Sequence, residues 1–270
     1  MIRKIIYITV LTFLLQASAV NAGSTGSEEL KDSSSQVSAG ECFEGVSRVM
    51  FAFNHGLDKV LFKPVAKGYR VLPMPIRIGT SNALGNLRSL LTLSNHILQG
   101  DFREAGTTAG RFVVNTTVGI LGIFDPASRL GLKEQGKEDF GQTLGRWGSN
   151  SGCYFVLPVL GPTTARDAVG LVGNMFLDPV YQITHNSEIE TGVVGNGNYS
   201  EHNYYYYRGT GAVDFRSKNI ESFDSLERNS IDLYASVKSL YIQERNKKIA
   251  NAQSLAGTQD ASDWEEIDTN

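Results

Sequence analysis

The sequence predicts an all-α fold, and two observations carry that prediction. Apolar residues recur at every third or fourth position in four separate segments, the spacing of one helix face. Between the segments stand proline and glycine, at positions that stop one helix or start the next.

The first helix is expected over Phe43–Phe62, with apolar residues at 43, 46, 50, 53, 57 and 60/61. Val49, Phe51 and Ala52 add apolar surface off that stripe, and a helix apolar over most of its girth is either buried or set against lipid. Pro64 should end or kink it. The second helix runs from Pro73-Met74-Pro75 to about Leu98. Gly100 then fits the left-handed residue after a helix end. Asp101, with Glu104 three residues on, resembles a capping box for a third helix over Phe102–Thr117.

Val118 to Leu132 (VGILGIFDPASRLGL) breaks the pattern. Gly119 and Gly122 each weaken a helix by roughly 1 kcal/mol relative to Ala, and Asp125-Pro126 marks a turn. An apolar, hairpin-like loop is expected. Buried, it would be ordinary core; exposed, it would point to a partner or a membrane. Gly192 to Gly211, with the run Tyr204–Tyr207, reads as a surface loop or insertion. A long helix is expected over Ser222–Ala250.

The ends read differently. Arg3 and Lys4 precede a short apolar core at Ile5–Leu15, under the ~18–20 residues a membrane span needs. Val20-Asn21-Ala22 offers a cleavage site, so residues 1–22 read as a cleaved secretory signal. Residues 23–40 read as a flexible Ser/Gly/acid-rich leader. Residues 41–252 form one folded domain, and 253–270, which include Trp264, read as a disordered acidic tail. No Cys directly follows the apolar core, and the first, Cys42, comes too late, so a lipoprotein signal is not expected. The sequence holds 25 Lys+Arg and 28 Asp+Glu; removing residues 1–22 takes two cations and gives 23 − 28 = −5. An acidic chain without basic runs argues against nucleic acid as the partner. The two cysteines of an exported chain suggest one disulfide, Cys42–Cys153, worth ~4–5 kcal/mol in the chain-entropy account; the alternative is two buried thiols.

Little in the sequence does chemistry. There is no Gly-x-Ser-x-Gly elbow, Cys-x-x-Cys pair or phosphate-binding loop. His55, His96, His185 and His202 lie far apart and lack metal-ligand spacing. Glu134, Glu138 and Asp139 form a local acidic cluster, expected to be a solvated loop face. No catalytic residue, metal or cofactor is expected. The stretch Asp139–Asp167 (DFGQTLGRWGSNSGCYFVLPVLGPTTARD) is rich in Gly, Pro and aromatics and reads as a segment that shapes a surface.

Taken in order, these pieces resemble the MlaA (VacJ) family of Gram-negative outer-membrane proteins. Glu44-Gly45, Arg48 and Phe53-Asn54 fit its N-terminal motif. Lys63-Pro64-Val65-Ala66, Tyr69-Arg70, Asn82, Asn86-Leu87 and Leu98-Gln99-Gly100-Asp101 follow. So do Arg111-Phe112, Asn115-Thr116 and Gly119 to Ala127. Asp139, Phe140, Gly141, Gln142, Gly145, Trp147 and Gly148 match one block; Pro158, Gly161, Arg166 and Asp167 match the next. Asp232, Tyr234, Val237, Tyr241, Gln243 and Arg245 fit the last helix.

The resemblance implies a flat, doughnut-like helical ring with apolar loops, embedded in one leaflet on the periplasmic side of the outer membrane. It implies removal of misplaced phospholipids from the outer leaflet to a periplasmic lipid-carrier protein, beside porin trimers and without covalent chemistry. It places a lipid passage or gate at Phe53, Asn54, Gly119, Leu121, Gly122 and Phe124. The alternative for Phe53 is core packing. For Arg166-Asp167 a structural ion pair competes with headgroup contact. Three departures stand out: Leu121 replaces a family glycine, Val46-Ser47 replaces Phe-Asn before Arg48, and the lipobox Cys is missing. The rival reading of the whole chain is a periplasmic structural or adhesion protein using the Tyr-rich loop.

Overall fold

Phe43 turns into the first helix with φ 57°, and α1 follows over Glu44–Leu57. The computed structural model describes residues 40–185 and 201–250; the expected signal peptide, the leader up to residue 39, Trp264 and the acidic tail lie outside them. Met50 and Phe51 pack against the core from α1, while Val46, Val49 and Phe53 stay exposed. The helix does not stop at Pro64. A π-helical turn, Asp58–Phe62, leads straight into α2, Lys63–Tyr69. A wider turn just ahead of the proline lets the chain pass a residue that lacks an N–H and would clash with the carbonyl four back.

The central pair is α3, Met74–Gln99, and α4, Phe102–Thr117, with Gly100 between them at φ 78° as the sequence predicts. Asp101 occupies the cap position of α4, but its side chain makes no cap hydrogen bond there. Its carboxylate accepts from Arg146 instead, at 3.1 Å; the cation competes for the oxygen that a capping box would use.

An eight-residue turn region, 118–125, leads from α4 into a one-turn helix, α5, Pro126–Arg129, capped by Asp125 through the Ser128 N–H. The expected hairpin-like loop over 118–132 is therefore a tight turn plus a helical turn, because Asp125-Pro126 is a helix start. Then come α6, Phe140–Arg146, and the strands β1, Tyr154–Leu157, and β2, Gly161–Thr164, paired antiparallel with Leu157 opposite Gly161. This hairpin is the β-sheet among the described residues, which are otherwise mainly helical.

Helix α7, Ala165–Leu177, follows directly, then α8, Pro179–His185. Tyr204–Tyr207 do not lie in a loop: they sit in α9, Glu201–Lys218, where Tyr204 packs edge-on against Tyr181. The expected long C-terminal helix is two, α10, Ile220–Asn229, and α11, Leu233–Ile249. Asp232 breaks it by capping α11 through the Ala235 N–H at 3.1 Å; an Asp at this position competes for backbone N–H groups.

The small core gathers Tyr154, Val156 and Tyr234, with Met50, Phe51, Tyr241 and Ile242 against them. The Tyr154 and Tyr234 rings meet edge-on at 6.1 Å, a preferred geometry for their quadrupoles. Cys42 and Cys153 form a disulfide at its margin, and the same edge carries the bond from the Cys42 N–H to the Tyr154 carbonyl, at 3.2 Å.

Candidate functional site: a polar cavity beneath an apolar turn

Elementary packing puts apolar groups inside and polar ones outside. Here the described residues do the reverse: the fully buried set holds nineteen polar or charged residues against eight hydrophobic ones. Meanwhile Val71, Phe102, Leu121, Trp147 and Leu160 are among many large apolar side chains left exposed.

The buried polar groups cluster beside a cavity of about 300 Å³. Asn82, Asn86, Arg88 and Thr92 line it from α3, Thr108, Arg111 and Asn115 from α4, Glu134 and Lys137 from the strand-free segment after α5, and Lys218 from the end of α9. On α3 the positions 82, 85, 86, 89 and 92 recur at three and four, so one polar stripe faces the cavity.

Its rim is fixed by amide and carboxylate bonds. Asn115 donates to Asp125 at 2.9 Å, and its carbonyl oxygen accepts from the Ala127 N–H at 3.1 Å. Arg111 donates to Asp125 at 3.0 Å. Burial would raise the Asp125 pKa, but Ser128, Asn115 and Arg111 outweigh it and hold the group ionised, below the usual value. Asn86 donates to Thr116 at 2.8 Å and Asn82 to the Ile123 carbonyl at 3.0 Å, so the turn over 118–124 hangs from α3 as well as α4.

That turn carries the expected gate residues Gly119, Leu121, Gly122 and Phe124. Leu121 and Phe124 are 71% and 60% exposed, so the apolar loop is a surface feature. Its backbone is held by bonds from Leu121 N–H to Thr116, Gly122 N–H to Asn115 and Phe124 N–H to Gly119. Ile120 and Leu121 nonetheless lie at φ 53° and 56°; for a β-branched residue such as Ile120 this is a true outlier. Gly122 is obligatory: at φ +86° an added Cβ would stand 2.5 Å from Asn86.

Phe53 and Asn54 go elsewhere. Phe53 is exposed on α1. Asn54 donates to the Leu157 carbonyl at 2.8 Å and accepts from the Val159 N–H at 2.7 Å, clamping the hairpin tip. Among the described residues no hydrogen bond joins the Asn54 side chain to the 118–124 turn. Pro158 and Gly161 flank the tip, where Val159 sits at φ 66°.

The family-motif residues of 139–167 instead build an ion-pair joint. Arg245 of α11 donates to both carboxylate oxygens of Asp139, at 2.6 and 3.0 Å, and to both of Asp167, at 3.0 and 2.7 Å. Tyr241 adds a bond to Asp167 at 2.6 Å, and Arg166 another at 3.0 Å. Burial favours the neutral acid at Asp139, but Arg245 overrides it and brings the pKa down to about 2. Arg166-Asp167 is thus an internal ion pair. Asp139 and Gln142 cap and brace α6. Gly141 meets Gly170 so closely that a Cβ on Gly170 would stand 2.5 Å from the Gly141 nitrogen. Gly145 packs on Ile249, Phe140 meets Trp147 edge-on, Trp147 donates to the Leu98 carbonyl at 3.1 Å, and Gly148 turns the chain at φ 91°.

The acidic cluster is not a solvated face. Glu138 is buried, accepts from Gln99 at 3.0 Å and is pushed up in pKa by burial, while Asp139 is paired; Glu134 alone of the three is exposed. Sequence reasoning missed Arg88, Lys137 and Lys218, because cations spaced 49 and 81 positions apart carry no local signal; the topology assembles them. Among the described residues no group of three or more His, Cys, Asp and Glu is placed to hold a metal. No described helix is long and apolar enough to cross a membrane.

Comparison with known proteins matches residues 40–248 to the family described as MlaA lipoprotein. The chain is 32% identical over 216 residues to the intermembrane phospholipid transport system lipoprotein MlaA of Escherichia coli, covering 78% of this chain and 79% of the relative. It is 30% identical over 245 residues to the protein of that name from Haemophilus influenzae, covering 89% and 90%. An uncharacterized protein of Rickettsia bellii is 33% identical over 210 residues, covering 77% and 76%. A solved structure that addresses the maintenance of bacterial outer membrane lipid asymmetry superposes with TM-score 0.63 at 30% identity, covering 77% of this chain and 98% of that one.

Proposed function

Because the chain belongs to the MlaA family, we propose that it transports phospholipid between membranes. It takes misplaced phospholipid from the outer leaflet of the outer membrane and passes it to a periplasmic carrier protein, which maintains lipid asymmetry. It sits on the periplasmic side of the outer membrane of a Gram-negative bacterium, next to a porin trimer. The relatives named for intermembrane phospholipid transport support the cargo.

The observation that carries the reading is the inverted polarity. A surface with many exposed large apolar side chains and, among the described residues, no helix long and apolar enough to cross a membrane is suited to lie among acyl chains, since such surface is costly in water at about 25 cal/mol per Å². A polar cavity inside such a body offers a headgroup a route past the hydrocarbon that would otherwise reject it. No covalent step is needed: the lipid moves because the protein replaces its hydration.

The turn over 118–124 gates that route. Its apolar tip meets acyl chains, while its base is bonded to the cavity rim through Asn82 and Asn86. The hairpin tip, held by Asn54 and exposing Val159 and Leu160, is a second apolar contact with lipid or porin.

Purification in mild detergent from outer-membrane fractions tests this reading. The protein is expected in the outer-membrane fraction with phospholipid bound, as read by mass spectrometry of extracted lipid. A protein found only in the soluble periplasm, with no phospholipid, contradicts it.

A further inference from the structure

We propose that Arg88 and Lys137 form an anion-binding pair in the polar cavity that holds a phosphate group, that of a phospholipid headgroup in transit. This rests on the phospholipid-transport reading and adds to it the group that is recognised and the two residues that recognise it.

Of the four cations that line the cavity, Arg88, Arg111, Lys137 and Lys218, two are already neutralised. Arg111 is satisfied by Asp125, Ser128 and the Leu132 carbonyl. Lys218 pairs with Asp214 at 2.9 Å and also bonds Ser81. The side chains of Arg88 and Lys137 make no ion pair or hydrogen bond among the described residues, although the Lys137 carbonyl accepts from Gln142 at 3.1 Å, and the Arg88 Nε is shielded from solvent with no acceptor. Arg88 itself lines the cavity, and a shielded guanidinium N–H left without a partner is unfavourable.

The two cations also raise each other's energy. Lys137 has accessible surface toward the cavity, yet its pKa is lowered, first by desolvation and then by repulsion from Arg88, with Glu134 acting the other way and Lys218 adding to the repulsion. Asp178 is near enough to feel the charge of Arg88, but among the described residues no ion pair or hydrogen bond joins the two side chains. An anion placed between Arg88 and Lys137 converts the repulsion into two charge-assisted contacts. Phosphate suits this set: a planar guanidinium fork and a point-charge ammonium are its two usual side-chain partners. Glu134 stands three residues before Lys137 on the same segment and acts on its charge in the opposite sense to Arg88.

Lys137 reports its own occupancy, because a depressed pKa leaves more reactive free amine. The purified detergent-solubilised protein is treated with a trace amine-acylating reagent, and labelling at each lysine is followed by mass spectrometry, with Lys247 as internal control. Phosphatidylglycerol in mixed micelles should slow labelling of Lys137 by about tenfold, the size of one charge-assisted contact, and diacylglycerol in the same micelles should not. Arg88→Gln should remove most of that protection while Arg88→Lys restores part of it, with helical circular dichroism unchanged in both. Protection by inorganic phosphate but not by phosphatidylglycerol supports the pair and assigns it to free phosphate, which counts against the transport reading alone. Equal labelling with and without both phosphate compounds, or equal protection by diacylglycerol, overturns the proposal, and does so even if the protein carries phospholipid.

Discussion

Arg245 stands between two carboxylates on two different helices, and each depends on it. Removing it leaves Asp139 and Asp167 as neighbouring, poorly solvated anions. Arg245→Ala should therefore cost about 3–5 kcal/mol, read as a shift in the midpoint of denaturant unfolding. The same joint sets a pH response. The Asp139 pKa falls to about 2 in the folded protein, below its unfolded value of roughly 3.9. Its contribution is fully present above about pH 4 and is lost as pH falls towards about 2. Glu138, raised by burial, acts in the opposite sense, since its stabilising protonated form is lost as pH rises through its folded pKa. Comparing wild type with Asp139→Asn isolates the first effect: the variant should show a shallower loss of stability between about pH 4 and 2, and an unchanged slope would contradict the assignment. Gly122→Ala should destabilise by about 1–3 kcal/mol, because the left-handed backbone and the contact with Asn86 both resist a side chain; thermal melting measures it. At this scale the sequence was informative about type but not about partner. Asp139, Arg166, Asp167 and Gly122 stand out in it as motif residues. That Arg245, 78 positions away from Asp167, would be the counter-ion of Asp139 and Asp167 needs the fold.

The elements show where local pattern suffices. Helix α4 matches its expected range, and α3 falls within a residue of its own, because Pro73, Pro75, Gly100 and Asp101 are local signals at their ends. Elements fail where a local signal had two outcomes. Pro64 is passed through by a π turn, and Asp232 splits what apolar spacing alone makes one helix. Tyr204–Tyr207 have no amphipathic period that marks a helix, yet Tyr204 finds Tyr181 and α9 forms. The hairpin is stapled to α1 by Asn54 and to the residues before α1 by the disulfide. Replacing both cysteines by serine should remove about 4–5 kcal/mol in the chain-entropy account, seen as a lower unfolding midpoint that matches that of the reduced wild type. Asn54→Ala strips the Leu157 carbonyl and Val159 N–H of their partner. It should cost about 1–2 kcal/mol and speed amide exchange at the hairpin tip, with the α3–α4 pair unaffected.

At the scale of the whole chain, the inverted polarity decides the reading. Apolar spacing in α1 announced a helix with more than one greasy face, but periodicity cannot say whether the second face meets protein or lipid. The exposed set at Val71, Phe102, Leu121 and Leu160 answers for the protein side: nothing among the described residues covers them. The cavity was not legible at all, since its polar stripe on α3 looks, in sequence, like an ordinary solvent face. The most direct test of the account is made in the bacterium that carries this chain. The gene is deleted, and phospholipid amines on the cell surface are labelled with a membrane-impermeant reagent. The account predicts a rise in surface-labelled phospholipid in the deletion strain, reversed when the intact gene is returned. Surface phospholipid at the wild-type level in the deletion strain would contradict it.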